Sequence, residues 1–132
     1  MTDREPVDVV RLVKDWLKDD LAGRFPELTV ALALPKDWKL GSGPVLVLAD
    51  DGDPLGMYPV ATSPTIRVTS WTSGRNRKYV NAALARLLDK RAHIPGVKRK
   101  RGTGILDARD TKTGGDLSSF TVRARARTAV PQ

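Results

Sequence analysis

The sequence contains no cysteine, and histidine occurs once in its 132 residues, as His93. The absence of cysteine excludes a disulfide, a thiolate nucleophile and a cysteine-ligated metal site. We interpret His93, which precedes Ile94 and Pro95, as a residue that ends a helix, where its charge would complement the dipole. With one histidine and no cysteine, the sequence excludes the usual serine or cysteine catalytic triad and a histidine-rich metal site. We therefore predict no enzymatic activity, no cofactor and no metal.

Aromatic residues make up only 5% of the chain, and long apolar runs are also missing. A membrane-spanning helix needs about 20 consecutive apolar residues, and no segment approaches that length. The N-terminal residues lack the basic-then-apolar order of a secretory signal. We therefore predict a protein without a membrane partner that is made in the cytoplasm and used there or in a particle assembled there.

Charge is present in quantity but unevenly placed. Residues 1–66 carry 7 Lys/Arg and 11 Asp/Glu, a net charge of −4, whereas residues 67–132 carry 16 Lys/Arg and 4 Asp/Glu, a net charge of +12. Such a division is compatible with simple solubility, with nucleic-acid binding, or with acidic and basic surfaces that meet between subunits. Composition alone leaves these three alternatives open.

Periodicity predicts two amphipathic helices. Apolar residues recur at three- and four-residue spacings from Val9 through Leu12 and Trp16 to Leu21, which predicts a helix over 6–21 with Thr2 or Asp3 as its cap and Trp16 in the core. A second stripe, from Tyr79 to Leu88, predicts a helix over 75–92.

Between and after the helices, β-branched and alternating segments predict strands over 28–34, 44–49, 65–71, 103–108 and 117–128. The basic segment 97–102 is predicted to be a loop, and 110–115 a hairpin turn. This order predicts an α+β fold, a mostly antiparallel β-sheet packed against two α-helices, in a single domain over 1–132 with its core at about 7–128.

Basic residues near the C-terminus form the first candidate interface or DNA-path surface. They comprise the run Lys98, Arg99, Lys100 and Arg101 and the alternating arginines Arg123, Arg125 and Arg127. Alternation places those three arginines on one face of a strand, about 7 Å apart. The face is either solvated, or used by a neighbouring subunit or by passing DNA. Because aromatic residues that would stack on bases are absent around the run, base reading is not expected, and contact with backbone phosphates stays open.

Two loops form the second candidate surface. The segment 50–63 begins with Asp50, Asp51 and Asp53 and is rich in proline and glycine, and the segment 35–44 contains Trp38. The aspartates resemble the start of a calcium loop, but Pro54 and the lack of a glutamate at the twelfth position favour a solvated turn. Long irregular segments in a small domain are typical of functional loops, so we expect both to contact partners and to be poorly ordered in the free subunit.

Several motifs in order resemble one family. They are VVRLVKDWL in the first helix, a strand ending in LALP, ADDGD after an apolar strand, PTIRVTSW before the second helix, and GILDARD and FTVRARART near the end. This series, over roughly residues 7–128, resembles the tail terminator (tail completion) proteins of siphophages, notably those that infect actinobacteria.

The resemblance implies a structural virion protein that works by assembly. Such a subunit forms a hexameric ring on the last ring of tail-tube protein, ends tube polymerisation and joins the tail to the head connector or stopper. It would be assembled in the cytoplasm of the host bacterium and reside at the tail–neck junction, with passing genomic DNA as a partner without sequence specificity. The alternatives are another head–tail joining protein (a stopper, adaptor or neck protein) and a small basic nucleic-acid-binding module.

Overall fold

A computed structural model describes residues 4–74 and 76–130, in which seven strands form one sheet beneath two helices. The helices are α1 (Val9–Ala22) and α2 (Lys78–Leu88). The strands are β1 (Thr29–Ala31), β2 (Val45–Asp50), β3 (Ala61–Thr62), β4 (Thr65–Thr72), β5 (Val97–Arg101), β6 (Leu106–Arg109) and β7 (Asp116–Arg127). The predicted α+β class and mostly antiparallel sheet are confirmed.

The long strand β7 organises the sheet, because it pairs with four other strands. Along one side it pairs with β4 and β3, and along the other with β5 and β6, in every case antiparallel. Beyond β4 the sheet continues through antiparallel β2 to β1, which is the one strand that runs parallel to its neighbour. Strand β7 is therefore an interior strand, and β5 lies at an edge of the sheet.

The core lies between one face of this sheet and the two helices. Val13 and Leu17 of α1, Val80 of α2, and Val68 and Phe120 of the sheet have no exposed surface. The predicted alternation of β7 is confirmed: Phe120, Val122, Ala124 and Ala126 are buried, whereas Arg123, Arg125 and Arg127 are exposed. The opposite face of the sheet has no helix packed on it among the described residues.

Helix α1 begins later than predicted because Asp8 caps it, accepting a hydrogen bond from the backbone N–H of Arg11 at 3.1 Å. The predicted caps Thr2 and Asp3 lie outside the described residues. Leu12 was predicted to belong to the apolar stripe but is 42% exposed. Trp16 is half-buried and packs against the core, as predicted.

The second helix is shorter than predicted, and one predicted loop is a strand. Helix α2 ends at Leu88, so that His93 is an exposed residue beyond the helix, and the predicted first residue, Arg75, lies outside the described residues. The segment 97–102, predicted to be a loop, contains strand β5 because its backbone pairs with β7 over five residues. Sheet pairing at this edge thus overrides a composition that disfavours strands.

Candidate partner-binding surface

The basic run and the C-terminal arginines, distant in sequence, lie on neighbouring strands. Lys98 stands opposite Arg125 and Lys100 opposite Arg123 across the β5–β7 pair, and all four side chains are exposed. Directly opposed residues have Cβ atoms about 5 Å apart, and like charges in such pairs are destabilising. We refer to Lys98, Lys100, Arg123 and Arg125 as the cation quartet.

No carboxylate neutralises the cation quartet within the described ranges, where none of its members has an ion pair closer than 4.0 Å. Other arginines of the basic half do have such partners. Arg67 binds Asp51 at 2.8 Å and Arg86 binds Asp20 at 2.8 Å. These two acidic residues of the first half are therefore matched within their own chain.

Arg99 lies between the two lysines of the quartet in sequence but on the opposite face of the sheet. Its guanidinium donates hydrogen bonds to the carbonyl oxygens of Leu87 (2.8 Å) and Ala92 (2.9 Å). The guanidinium also lies 5.8 Å from the ring centroid of Trp16. Burial lowers the pKa of the Arg99 side chain from its ordinary value. Arg99 thus supports the end of α2, and its assignment to the interface surface stays a prediction.

The remaining basic candidates divide between the two faces. Arg127, exposed at the end of β7, stands opposite Ala61 and extends the quartet's face along that strand. Arg101 ends β5 opposite the buried Val122, which places it on the face away from the quartet. The sequence therefore predicted five of seven residues on one surface, and the pairing register separates Arg99 and Arg101 from them.

The three loop aspartates shape the segment between β2 and β3. The carboxylate of Asp50 accepts from the backbone N–H of Gly52 at 2.8 Å, and that of Asp53 accepts from Leu55 (2.7 Å) and Ser63 (2.8 Å). Asp51 holds Arg67, as described above. These carboxylates are engaged by their own chain, and contact between them and a partner stays a prediction.

The same loop presents apolar side chains that the sequence analysis did not select. Leu55, Met57, Tyr58 and Val60 are 55%, 37%, 45% and 63% exposed. Leu55 also has a φ of 59°, a left-handed conformation that costs a non-glycine residue about 1–3 kcal/mol. The uninterrupted letters LGMYPV in a segment otherwise typical of a turn were the available signal. We refer to Leu55, Met57, Tyr58 and Val60 as the apolar loop.

Hydrogen bonds to distant segments hold the apolar loop in place. The Tyr58 hydroxyl donates to the carbonyl oxygen of Arg4 at 3.1 Å, and the Thr128 backbone N–H donates to that of Val60 at 3.3 Å. Met57 of this loop and the four cations also line a common groove of about 240 Å³. The loop is thus tethered beside the cation quartet.

Trp38, the other predicted loop contact, is only 5% exposed. Its ring packs edge to face against Trp71, with ring centroids 5.6 Å apart, and its indole N–H donates to the carbonyl oxygen of Gly43 at 2.9 Å. Trp38 is therefore packed within its own chain, and its contact with a partner stays a prediction. The ring covers the sheet near the start of β7, whereas the cation quartet lies near the end of that strand.

A second groove, of about 410 Å³, lies where α2 meets β6 and β7. Arg77 donates to Asp107 at 3.1 Å there, and the Ser118 hydroxyl donates to the same carboxylate at 2.6 Å. No histidine lines this groove. Over the described ranges, no group of three or more His, Asp or Glu residues could hold a metal ion, and no helix is long and apolar enough to cross a membrane.

Comparison with models of known protein families gave no match, and comparison with curated protein sequences gave none either.

Proposed function

We propose that this protein is a tail terminator: a structural subunit that forms a six-membered ring on the end of a phage tail tube, stops tube growth and joins the tail to the head connector. The proposal combines the family resemblance of the sequence with one structural observation, the tethered apolar loop. Exposed clusters of large apolar side chains commonly mark protein-binding surfaces. A preorganised loop loses less conformational entropy on binding than a mobile one.

The strained, exposed Leu55 supports a role for this loop in assembly. A left-handed backbone at an exposed leucine lowers the stability of the free subunit, and strained positions often coincide with functional sites. Burial of the Leu55 and Val60 side chains against a neighbouring protein would return about 25 cal/mol for each Å² of apolar surface removed from water. We therefore assign the apolar loop to contact with the tail tube, the connector or the next subunit of the ring.

The test is complementation of the phage that encodes this chain after deletion of its gene. The wild-type protein should restore infectious titre and tails of uniform length, whereas the double variant Leu55→Ser, Val60→Ser should leave overlong tubes without heads. The matched control is Leu12→Ser, Val130→Ser, because these residues are 42% and 44% exposed but lie outside the loop. Thermal unfolding of each purified variant checks that its fold is retained.

Three outcomes would contradict the proposal. They are normal tails and full titre with the loop variant, failure of the wild-type protein to restore tail length, and a symmetry other than six-fold in this layer of the virion. Tails of normal length that fail to join heads would favour a different head–tail joining protein.

A further inference from the structure

The cation quartet concentrates positive charge on a small, open area of the sheet. Its members form a rectangle, with about 5 Å between opposed residues on β5 and β7 and about 7 Å between successive outward residues of each strand. Arg127 adds a fifth positive charge on the same face of β7. This arrangement repels itself, so its presence requires an explanation other than stability.

Protection of the sheet edge does not explain the whole quartet. Charged residues, especially lysines, on an edge strand prevent pairing with other chains, which accounts for Lys98 and Lys100 on β5. Arg123 and Arg125, however, lie on β7, which is paired on both sides. The arginines therefore indicate a function beyond edge protection.

Several acidic residues of the first half are already engaged within their own chain. The carboxylates of Asp20 and Asp51 are matched by Arg86 and Arg67, and that of Asp50 holds a turn. The net charge of +8 further opposes contact of the quartet with a second copy. The overall charge therefore disfavours a second copy of this chain as the partner of the quartet.

We propose that the cation quartet binds the phosphate backbone of double-stranded DNA without reading its sequence. Duplex DNA carries one negative charge per about 1.7 Å of helix axis, fixed covalently at high density. A protein partner with the same density of negative charge would have to place carboxylates directly opposite one another on its surface. Those carboxylates would repel one another as the cations of the quartet do. The groove beside the quartet has no aromatic lining, which disfavours stacking on the bases of a single strand. This proposal rests on β5 and β7 and does not require the ring.

The test is the fluorescence anisotropy of a labelled 30-base-pair duplex with the full-length protein in increasing salt. Four phosphate contacts give a slope of about −3.6 for log K against log salt, or a roughly 100-fold loss of affinity from 50 to 200 mM salt. The variant Lys98→Gln, Lys100→Gln, Arg123→Gln, Arg125→Gln should bind at least tenfold more weakly at 50 mM salt and lose most of that slope.

The matched control replaces four exposed lysines elsewhere, Lys18, Lys36, Lys39 and Lys112, with glutamine, and its affinity should stay within threefold of the wild type. If circular dichroism shows that the quartet variant is unfolded, the pair Lys98→Gln, Arg125→Gln replaces it, with an expected slope of about −1.8.

Absence of wild-type binding at 50 mM salt, or equal losses in the quartet and control variants, would overturn the proposal. Displacement of the labelled duplex by polyglutamate as effectively as by unlabelled duplex at equal charge would also overturn it, in favour of an acidic protein partner. The DNA-binding assay does not depend on tail length or ring formation. A negative result in this assay would therefore contradict only the DNA proposal and leave the proposed assembly function unaffected.

Discussion

The Nε–H of Arg99 donates a hydrogen bond to the carbonyl oxygen of Leu87 at 2.8 Å and so ties edge strand β5 to the last turn of α2. The carbonyl groups of the last helical turn have no partner within their helix, and a charged donor satisfies one of them. In the most basic segment of the chain, Arg99 thus stabilises the fold, whereas its sequence neighbours Lys98 and Lys100 are exposed to solvent.

The first prediction is that Arg99→Gln lowers the free energy of unfolding by about 1.5–3 kcal/mol, because hydrogen bonds from a charged donor are lost. The matched control is Arg101→Gln, at an exposed position of the same strand, for which the expected change is within about 0.5 kcal/mol. Urea unfolding monitored by circular dichroism provides the measurement. Equal changes in the two variants would show that the contacts of Arg99 contribute nothing specific.

This residue also illustrates why sequence reasoning succeeded only in part. The alternation of β7 was predictable because each outward arginine is preceded by an inward apolar residue, a local pattern with a period of two. In VKRKR only Val97 is apolar, so the sequence contains no such pattern. That residues 97–101 form a strand, and that Arg99 points inward, depends on pairing with residues 122–126, which are more than 20 positions away.

Trp38 shows the same limitation for the candidate site. A tryptophan in a segment rich in proline and glycine was predicted to be a partner contact, but its ring packs on Trp71 and Gly115, both distant in sequence. The apolar loop was missed for the opposite reason. Its prolines and glycine indicated a turn, and the exposure of Leu55 and Val60 depends on how that turn is tethered to the N- and C-terminal segments.

The second prediction concerns Gly115, on which the Trp38 ring packs. A Cβ atom at this position would lie 2.7 Å from Cζ3 of Trp38, closer than carbon atoms approach without displacement. Gly115→Ala should therefore lower the free energy of unfolding by about 1–3 kcal/mol, as overpacking typically does. Gly104→Ala is the control, since no atom lies within 4 Å of its added Cβ. A midpoint of urea unfolding that shifts equally in both variants would contradict this packing.

The third prediction concerns alkaline pH and the buried Tyr79, whose hydroxyl donates to the Glu27 carboxylate at 2.9 Å. Burial, followed by the hydrogen bond and the negative charge of Glu27, raises the pKa of Tyr79 from 10.0 to about 12. Between these values the unfolded chain releases the phenolic proton while the folded protein retains it. The free energy of unfolding should therefore decrease over this interval, by at most about 1.4 kcal/mol per pH unit.

Urea unfolding at pH 9, 10, 11 and 12 measures this effect. Tyr79→Phe removes the ionisable hydroxyl, so the decrease between pH 10 and 12 should be smaller in this variant than in the wild type. Tyr58→Phe leaves the Tyr79–Glu27 contact intact and should keep the wild-type dependence. If Tyr79→Phe and the wild type have the same slope, the buried hydroxyl is not the source of the alkaline instability.

The ion pairs clarify what the uneven charge of the sequence means for the folded chain. Arg86 of the basic half binds Asp20 of the acidic half and joins the two helices, while Arg67 binds Asp51 and anchors the loop after β2. Much of the acidic half is thus used to organise the fold. The excess positive charge that remains includes the cation quartet, in which each cation stands opposite another.

The last prediction follows from this opposition. Lys98→Glu replaces a repulsive pair with an attractive pair opposite Arg125 and should raise the free energy of unfolding by about 0.2–1 kcal/mol. The gain should shrink in 1 M NaCl, where the Debye length is about 3 Å. The control is Lys39→Glu, at an exposed position in the loop between β1 and β2, which changes the net charge equally but has no opposed arginine. The measurement is the urea midpoint of both variants at low and high salt. An equal gain in stability in the control would assign the effect to net charge. A gain that persists in 1 M NaCl would exclude electrostatic repulsion between Lys98 and Arg125 as its cause.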